Sequence, residues 1–346
     1  MITIRDVAKT SGYSVTTVSM VLNDAPLARH IPDKTKTHVK QIAEDLGYRP
    51  NPFARALRSQ RSHSVGVMVP DIADPYCAQI LRGIEGRLVR SGHLAILTDI
   101  QNNRTRFKRQ LGVLLERRVE GLIILANSLY FETELLQGLE KWKVPSVILG
   151  RQLERSPLNW VATDNEAGTH MALQHLYKLG HRKIAFIRGP KMIVDSAYQW
   201  KGISSFAADA GLELNPRLVV PLKTPFSTYE GGYALTKELL GRGAPFTALV
   251  AFDDMTAFGA IRALTSSRLK VPEDCSVVGF DDLPVAAFYN PSLTSVREGM
   301  EALGSLGGQI LAEAIAAARM KNKFSPVHRK VKPEFVVRES TAAPRY

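Results

Sequence analysis

The sequence predicts a small all-α head followed by an α/β core of two doubly wound, parallel-sheet lobes. Three observations carry this. The chain opens with two short, capped, amphipathic segments, MITIRDVAKTSGYSVTTVSMVLN, at helix-turn-helix spacing. From about residue 65 onward, apolar runs of strand length alternate with amphipathic segments of helix length, the pattern of parallel sheets covered by helices on both faces. Between the two, residues 50–64 form a linker containing Pro and Arg.

In the head, Thr3 caps a first helix and Asp6, three residues on, completes a capping box. Ile4, Val7, Ala8 and Ser11 follow at helical spacing, so one side is apolar or small. Gly12 stands where the turn requires a positive φ. Ser14 caps a second helix whose inward stripe is Val18, Val21 and Leu22. Thr16 and Met20 then point away from that stripe, flanked by Val15 and Thr17. A third helix runs from Asp33, with Val39, Ile42, Ala43 and Leu46 inward and Gly47 as its stop.

In the core, strand-length apolar runs occur at 65–69, 94–98, 121–125, 145–149, 184–187, 218–221, 247–251 and 276–280. Amphipathic segments lie near 76–90, 104–118, 165–179, 197–210, 229–240 and 254–266, with a late helix at roughly 298–320 and two late strands near 325–338. The expected division is a helix-turn-helix head at 1–49, a hinge helix and linker at 50–64, and a core at 65–346. Within the core, the first lobe takes about 65–163 and 296–324, and the second about 164–295 and 325–346.

Charge points to a polyanion at the head. The chain of 346 residues carries a net +12. Residues 1–61 hold ten Lys and Arg against five acids, so the basic excess is densest where phosphates would lie. No run of eighteen apolar residues exists to span a membrane. The N-terminus begins at once with a capped helix rather than an apolar leader core, so a cytoplasmic, nucleoid-associated protein is expected. Cys77 and Cys275 are the only cysteines, and a disulfide between them is not expected in that compartment.

TIRDVA, SVTTVSMVLN, GYRPN and ARALRS, running directly into the strand SVGVMVP, resemble the DNA-binding head and hinge of the lactose-repressor/galactose-repressor (LacI/GalR) family. The resemblance continues through DPY at 74–76, TDN at 163–165, GHRKIAFIRGP at 180–190, FDDMTAFGA at 252–260 and VVGFDDLP at 277–284. It implies two lobes similar to periplasmic sugar-binding proteins, joined by three crossovers, with a ligand cleft between them. In such sheets ligands sit at the carboxyl ends of the strands. The implied function is sequence-specific DNA binding, most simply repression, controlled by a small polar effector such as a sugar or polyol.

For DNA, residues opening the second helix reach base edges. Thr16 and Thr17 can hydrogen-bond a base or phosphate, while Val15 and Met20 offer only apolar contact, for instance to a thymine methyl. Many relatives carry a long polar side chain at the Met20 position. Thr3, Asn23 and Arg29 complete the expected contacts of the head; Arg29 lies in the segment 26–32, which adds a backbone contact or is simply a longer loop. The resemblance further implies a hinge helix at 52–58 that folds when paired with its twin in the minor groove. Leu57 would be an apolar wedge between central bases, or a leucine packed under the head. Asn51, Ala54 and Arg58 would lie close to the groove by the same resemblance.

For the effector, the resemblance places Tyr76, Ile193, Asp195, Gln199, Asp253 and Asp281 in the cleft. Asp281 would accept hydrogen bonds from ligand hydroxyls, or cap a turn. Asp253 reads as the polar cleft residue and Asp254 as the cap of the next helix. Asp164 contacts ligand or stabilises the crossover. Relatives very often have arginine where Gln199 stands, and glutamine cannot clamp a carboxylate. Three acids without that arginine favour a neutral polyol, a sugar or an amine over an acidic ligand. Trp200 either stacks on a sugar ring or belongs to the core.

Two other classes fit less well. A nucleotide-dependent enzyme would need a phosphate-cradling glycine loop, but the first strand is followed by PDIADPY. No P-loop, G-x-S-x-G or metal-spaced His/Cys cluster occurs, so no catalytic residue, metal or cofactor is expected. A transport-type binding protein would not carry the basic head. The expected partners are near-palindromic operator DNA, a small effector and a second copy of the chain, because one recognition helix per chain implies twofold binding. The chain ends RESTAAPRY, without the leucine heptad of lactose-repressor-like tetramers.

Overall fold

The computed structural model describes residues 2–23, 25–49, 61–126, 138–139, 141–153, 156–224 and 227–345. The chain divides into two compact units, Met1–His63 and Ser64–Tyr346.

The first unit contains α1 (Ile4–Ser11), α2 (Val15–Leu22) and α3 (Asp33–Asp45), with a short 3-10 turn at Pro26–His30. The Asp6 carboxylate accepts from the Thr3 N–H at 2.8 Å and the Thr3 hydroxyl at 2.7 Å, which fixes the entry to α1. Gly12 turns the chain at φ 74°. Ser14 Oγ then accepts from the Thr17 N–H at 3.1 Å and starts α2. Val7, Val18, Val21, Val39 and Ala43 close the core, with Ile4, Leu22, Ile42 and Leu46 packed around it. Each fully buried valine contributes roughly 1.5–3 kcal/mol, so a handful of side chains holds this unit.

The second unit holds two six-stranded sheets. The first sheet is built from β1 (Ser64–Val69), β2 (Leu94–Asp99), β3 (Gly121–Leu125), β4 (Ser146–Leu149), β5 (Asn159–Thr163) and β11 (His328–Val331). Its order is β11-β5-β4-β3-β1-β2, with every pair parallel. The second contains β6 (Ile184–Arg188), β7 (Val219–Pro221), β8 (Ala248–Ala251), β9 (Ser276–Asp281), β10 (Thr294–Arg297) and β12 (Glu334–Val336). Its order is β12-β10-β9-β8-β6-β7, and only β12 runs antiparallel.

Helices α4 (Pro75–Arg90), α5 (Arg104–Glu116) and α10 (Met300–Arg319) serve the first lobe. Helices α6 (Asn165–Lys178), α7 (Val194–Ala210), α8 (Tyr229–Gly241) and α9 (Asp254–Ser266) serve the second. Strands such as SVGVMV of β1 are buried along their whole length, and mostly apolar, because helices cover both faces.

The chain passes between lobes three times: after β5, between β10 and α10, and between β11 and β12. The expected lobe boundaries need correction. β11 pairs with β5, so 328–331 belongs to the first lobe, and the final return to the second lobe comes after 331 rather than at 325. β10 pairs with β9, so the second lobe extends through 297 rather than 295. The two crossovers flanking β5 and β11 are tied by the Asp164 N–H donating to the Val331 carbonyl at 3.0 Å.

Candidate functional site

On the head, α2 carries no charged residue, and its outer face is Val15, Thr16 and Met20. Val15 and Thr16 are exposed and Met20 is half-buried. Three other expected DNA residues already have local partners. The Thr3 hydroxyl is held by Asp6. Thr17 Oγ1 lies 2.9 Å from Ser14 Oγ. Asn23 Nδ2 donates to the Ser19 carbonyl at 2.8 Å, closing the end of α2. Arg29 is exposed, with Nε donating to His30 at 3.1 Å. Asn51, Ala54, Leu57 and Arg58 lie outside the described residues.

Between the lobes of the core lies a cavity of about 250 Å³. It opens where a parallel fold gathers helix N-termini, at the carboxyl ends of the strands. The first lobe lines it with Asp71 and Asp74 from the loop after β1, Tyr76 at the start of α4, and Asn102 after β2. The second lobe contributes Ile193, Asp195, Gln199, Ser227, Thr228, Asp253 and Asp281. Glu298, on the crossover between β10 and α10, completes it. Six of the seven expected effector residues therefore line one cavity: Tyr76, Ile193, Asp195, Gln199, Asp253 and Asp281.

The seventh does not. The Asp164 carboxylate accepts from the Ala167 N–H at 3.2 Å and caps α6, away from the lining, so its place is at the crossover. Of the two adjacent acids, Asp253 takes both of the expected roles and Asp254 takes neither. Asp253 is the cap of α9, accepting from the Thr256 N–H at 2.8 Å, and it lines the cavity as well. Asp254 is fully buried behind the wall. There it accepts from the Leu283 N–H at 2.7 Å and the Ser295 hydroxyl at 2.6 Å. Trp200 belongs to the core: it packs edge-on against Phe186, and the Arg188 guanidinium sits 4.0 Å over its ring.

The electrostatics of the cavity are one-sided. Six carboxyl side chains line it, and no Lys, Arg or His appears among the described lining residues. Burial pushes Asp74 up to about 6, although its Oδ1 accepts from the Tyr76 N–H. Burial likewise pushes Asp195 to about 7, against a hydrogen bond from Asn165 Nδ2 at 2.9 Å. Glu298 rises to about 8 through burial and the nearby Asp195, while Thr163 Oγ1 donates to its Oε2 at 3.0 Å. Asp281 rises through burial and then through Glu298, and no described residue donates to its carboxylate. Gln199 is committed to the fold, its Nε2 donating to the Phe252 carbonyl at 3.2 Å.

Asp71, Asp74, Asn102, Ser227, Thr228 and Glu298 were not expected here. DPY did mark the turn that places Asp74, but the crossover sequence around Glu298 carries no periodic or motif signal.

Residues 3–51 match the model of bacterial regulatory proteins of the lacI family, and residues 173–341 match the periplasmic binding protein-like domain. The HTH-type transcriptional repressor PurR of Pasteurella multocida is 30% identical over 340 residues, covering 98% of each chain. The solved transcriptional regulator CelR in complex with cellobiose is 30% identical, covers 98% of this chain and 100% of that one, and superposes with a TM-score of 0.73. The lac repressor dimer bound to operator and the anti-inducer ONPF is 27% identical, covers 99% of each chain and gives a TM-score of 0.85. No helix among the described residues is long and apolar enough to cross a membrane. Identity at this level along almost the full length of both chains is a family relationship, and the chain belongs to the lacI family of bacterial regulatory proteins, as a DNA-binding transcriptional repressor with a ligand-binding core.

Proposed function

We propose that a small, hydroxyl-rich effector, sugar-like in chemistry, binds between the core lobes and relieves repression by lowering operator affinity. The observation that carries this is the cavity itself, lined by carboxyl, amide and hydroxyl groups at the strand ends. Ligand hydroxyls donate to such oxygens, and charge-assisted acceptors hold them tightly. The match to a cellobiose-bound regulator along the whole chain supports the same reading. Tyr76, Ile193, Asp195, Gln199, Asp253 and Asp281 are the proposed effector contacts. An effector shifts DNA affinity only through its different affinity for two lobe arrangements. β1 begins at Ser64, the last residue of the expected linker, so rotation of the first lobe is felt where the linker joins it.

On DNA, Val15, Thr16 and Met20 read base edges in the major groove, with Thr3, Thr17, Asn23 and Arg29 supporting the helix or touching backbone. The segment 50–64 acts as the hinge, with Leu57 as the wedge and Asn51, Ala54 and Arg58 beside it. The protein acts by binding rather than catalysis, in the cytoplasm at the nucleoid, as a homodimer on a near-palindromic site. The edge strand β2 leaves Leu94 72% exposed, a surface a second copy would cover. Light scattering at micromolar concentration is expected to give twice the chain mass, and a stable monomer would refute the dimer.

The effector site is tested with an operator selected from random duplexes and a panel of sugars that includes cellobiose. At least one sugar is expected to lower operator affinity of the wild type. Asp281→Ala is expected to abolish that response while leaving sugar-free operator binding unchanged. A normal response in the variant would make Asp281 a structural turn residue and remove it from the site.

A further inference from the structure

We infer that the effector carries a positively charged group beside its hydroxyls, as an amino sugar or amine-bearing polyol does, and that this group seats between Glu298, Asp195 and Asp281. The inference rests on the reading of the cleft as the effector site and adds the charge of its ligand.

The six lining carboxyls fall into two sets. Asp71, Asp74 and Asp253 accept from backbone N–H groups of their own turn or helix start: Ala73 at 2.8 Å, Tyr76 at 2.9 Å and Thr256 at 2.8 Å. Such donors stabilise a carboxylate without any cation, and helix N-termini add to the effect. Glu298, Asp195 and Asp281 accept from no backbone N–H of a described residue, although Asp195 stands in the first turn of α7. Glu298 is only 4% exposed, Thr163 occupies its Oε2, and its Oε1 bonds no described residue although the side chain lines the cavity. Asp281 receives no hydrogen bond on either oxygen from a described residue. Asp195 receives one, from Asn165, whose own Oδ1 is buried without a partner.

These groups also act on one another. Asp195 and Asp254 face Glu298, and Glu298, Asp253, Asp254 and Asp74 face Asp281. The Tyr76 hydroxyl is desolvated beside the same cluster. Burial holds Asp195 near 7, and burial followed by repulsion from Asp195 and Asp254 holds Glu298 near 8. A neutral hydroxyl ligand leaves that repulsion in place, whereas an ammonium group removes it and supplies up to three donors. The described lining residues offer no substitute cation. Gln199 is neutral, and Arg188 is taken up over the Trp200 ring, outside the cavity lining. No group of acids or histidines among the described residues has the arrangement to hold a metal ion.

The test uses the full chain and matched probes that differ in charge but keep their hydroxyls: glucosamine against N-acetylglucosamine, and N-methylglucamine against sorbitol. Calorimetry and thermal shift are run at pH 7.5. The charged member is expected to bind at least tenfold more tightly in one pair or both, and Glu298→Gln to erase the preference. Gln still accepts the Thr163 hydroxyl, so the variant keeps that bond. Glu298→Gln is also expected to raise the ligand-free Tm at pH 8 more than at pH 5.5, because it deletes a charge that has no counterpart. The charge assignment is overturned by the absence of any charge preference, by equal stabilisation with Ca²⁺ alone, or by a fall in ligand-free Tm at pH 8. Charged probes that bind undiminished to both Glu298→Gln and Asp281→Asn would instead place the ligand outside the cleft and fail the parent reading.

Discussion

Asp254 gives the sharpest check on how the cleft wall is held. The side chain is fully buried, and its two oxygens take the Leu283 N–H at 2.7 Å and the Ser295 hydroxyl at 2.6 Å. Ser295 Oγ in turn accepts from the Asp282 N–H at 3.1 Å, so one carboxyl fixes the turn that follows β9 and carries Asp281. Burial outweighs these bonds and pushes Asp254 up to about 8, which leaves it largely protonated at pH 7. Asp254→Ala strands the Leu283 N–H and frees the Ser295 hydroxyl to turn elsewhere. A buried donor left without a partner costs about 1–3 kcal/mol, so the pair loses about 2–4 kcal/mol. In a unit of this size that lowers Tm by about 4–8 °C. Asp254→Asn matches the neutral acid in shape. Its amide oxygen keeps the Leu283 N–H, and its NH₂ reaches Ser295 Oγ with the donor reversed, for a loss of about 1 kcal/mol or less. Differential scanning calorimetry of the three proteins at pH 7 separates the cases. Equal losses in both variants, or an alanine variant within 1 °C of wild type (a limit of about 0.5 kcal/mol), would refute this account of the wall.

Two further outcomes follow from packing and charge. A Cβ on Gly83 would stand 2.0 Å from the Glu301 carbonyl oxygen of α10, while one on Gly86 meets nothing within 4 Å. Gly83→Ala is therefore expected to destabilise by about 1–3 kcal/mol, and Gly86→Ala to stabilise by about 0.5–1 kcal/mol, with urea melts to compare them; the reverse order would mean that α4 and α10 are not in backbone contact. The raised acids of the cleft make the folded state bind more protons than the unfolded one between their ordinary values and about 6 for Asp74, 7 for Asp195 and 8 for Glu298. Their contribution to ligand-free stability is therefore largest at the acid end of that window and falls as pH rises from 5.5 to 8. Wild type is expected to lose more Tm over that interval than Glu298→Gln, and identical slopes would show that Glu298 does not titrate there.

The head was legible because its signals are local. Thr3 with Asp6, Gly12 and Ser14 each act within a few residues, and each stands where its spacing placed it. Strand runs of Val, Ile and Leu were equally plain. β5 (NWVAT) and β10 (TSVR) were not, because polar Asn159, Thr163, Thr294 and Ser295 interrupt them. Their burial comes from neighbouring strands and crossovers, and no window of sequence contains those neighbours. The same reason hid Glu298 and misassigned β11. A crossover residue gains its surroundings from both lobes at once, here Thr163 from β5 and Asp195 from α7.

Asp253 shows a different limit. Sequence reasoning treated capping and cleft lining as alternatives for two adjacent acids, and gave one role to each. In a parallel α/β lobe they are not alternatives, since each strand's carboxyl end runs straight into a helix N-terminus. Asp253, extended at φ −149°, bonds the first turn of α9 with its carboxylate while bordering the cavity. Asp74 does the same at α4. Caps therefore supply the cleft with acceptors that amides support, although burial outweighs that support and raises both Asp74 and Asp253. Glu298 and Asp195, the latter in the first turn of α7, each reach the cavity with one side-chain donor and no backbone N–H, and Asp281 reaches it with no described donor. A ligand hydroxyl suffices for the first set. The second set is where the cleft lacks something, and where selection between a neutral and a cationic ligand is made.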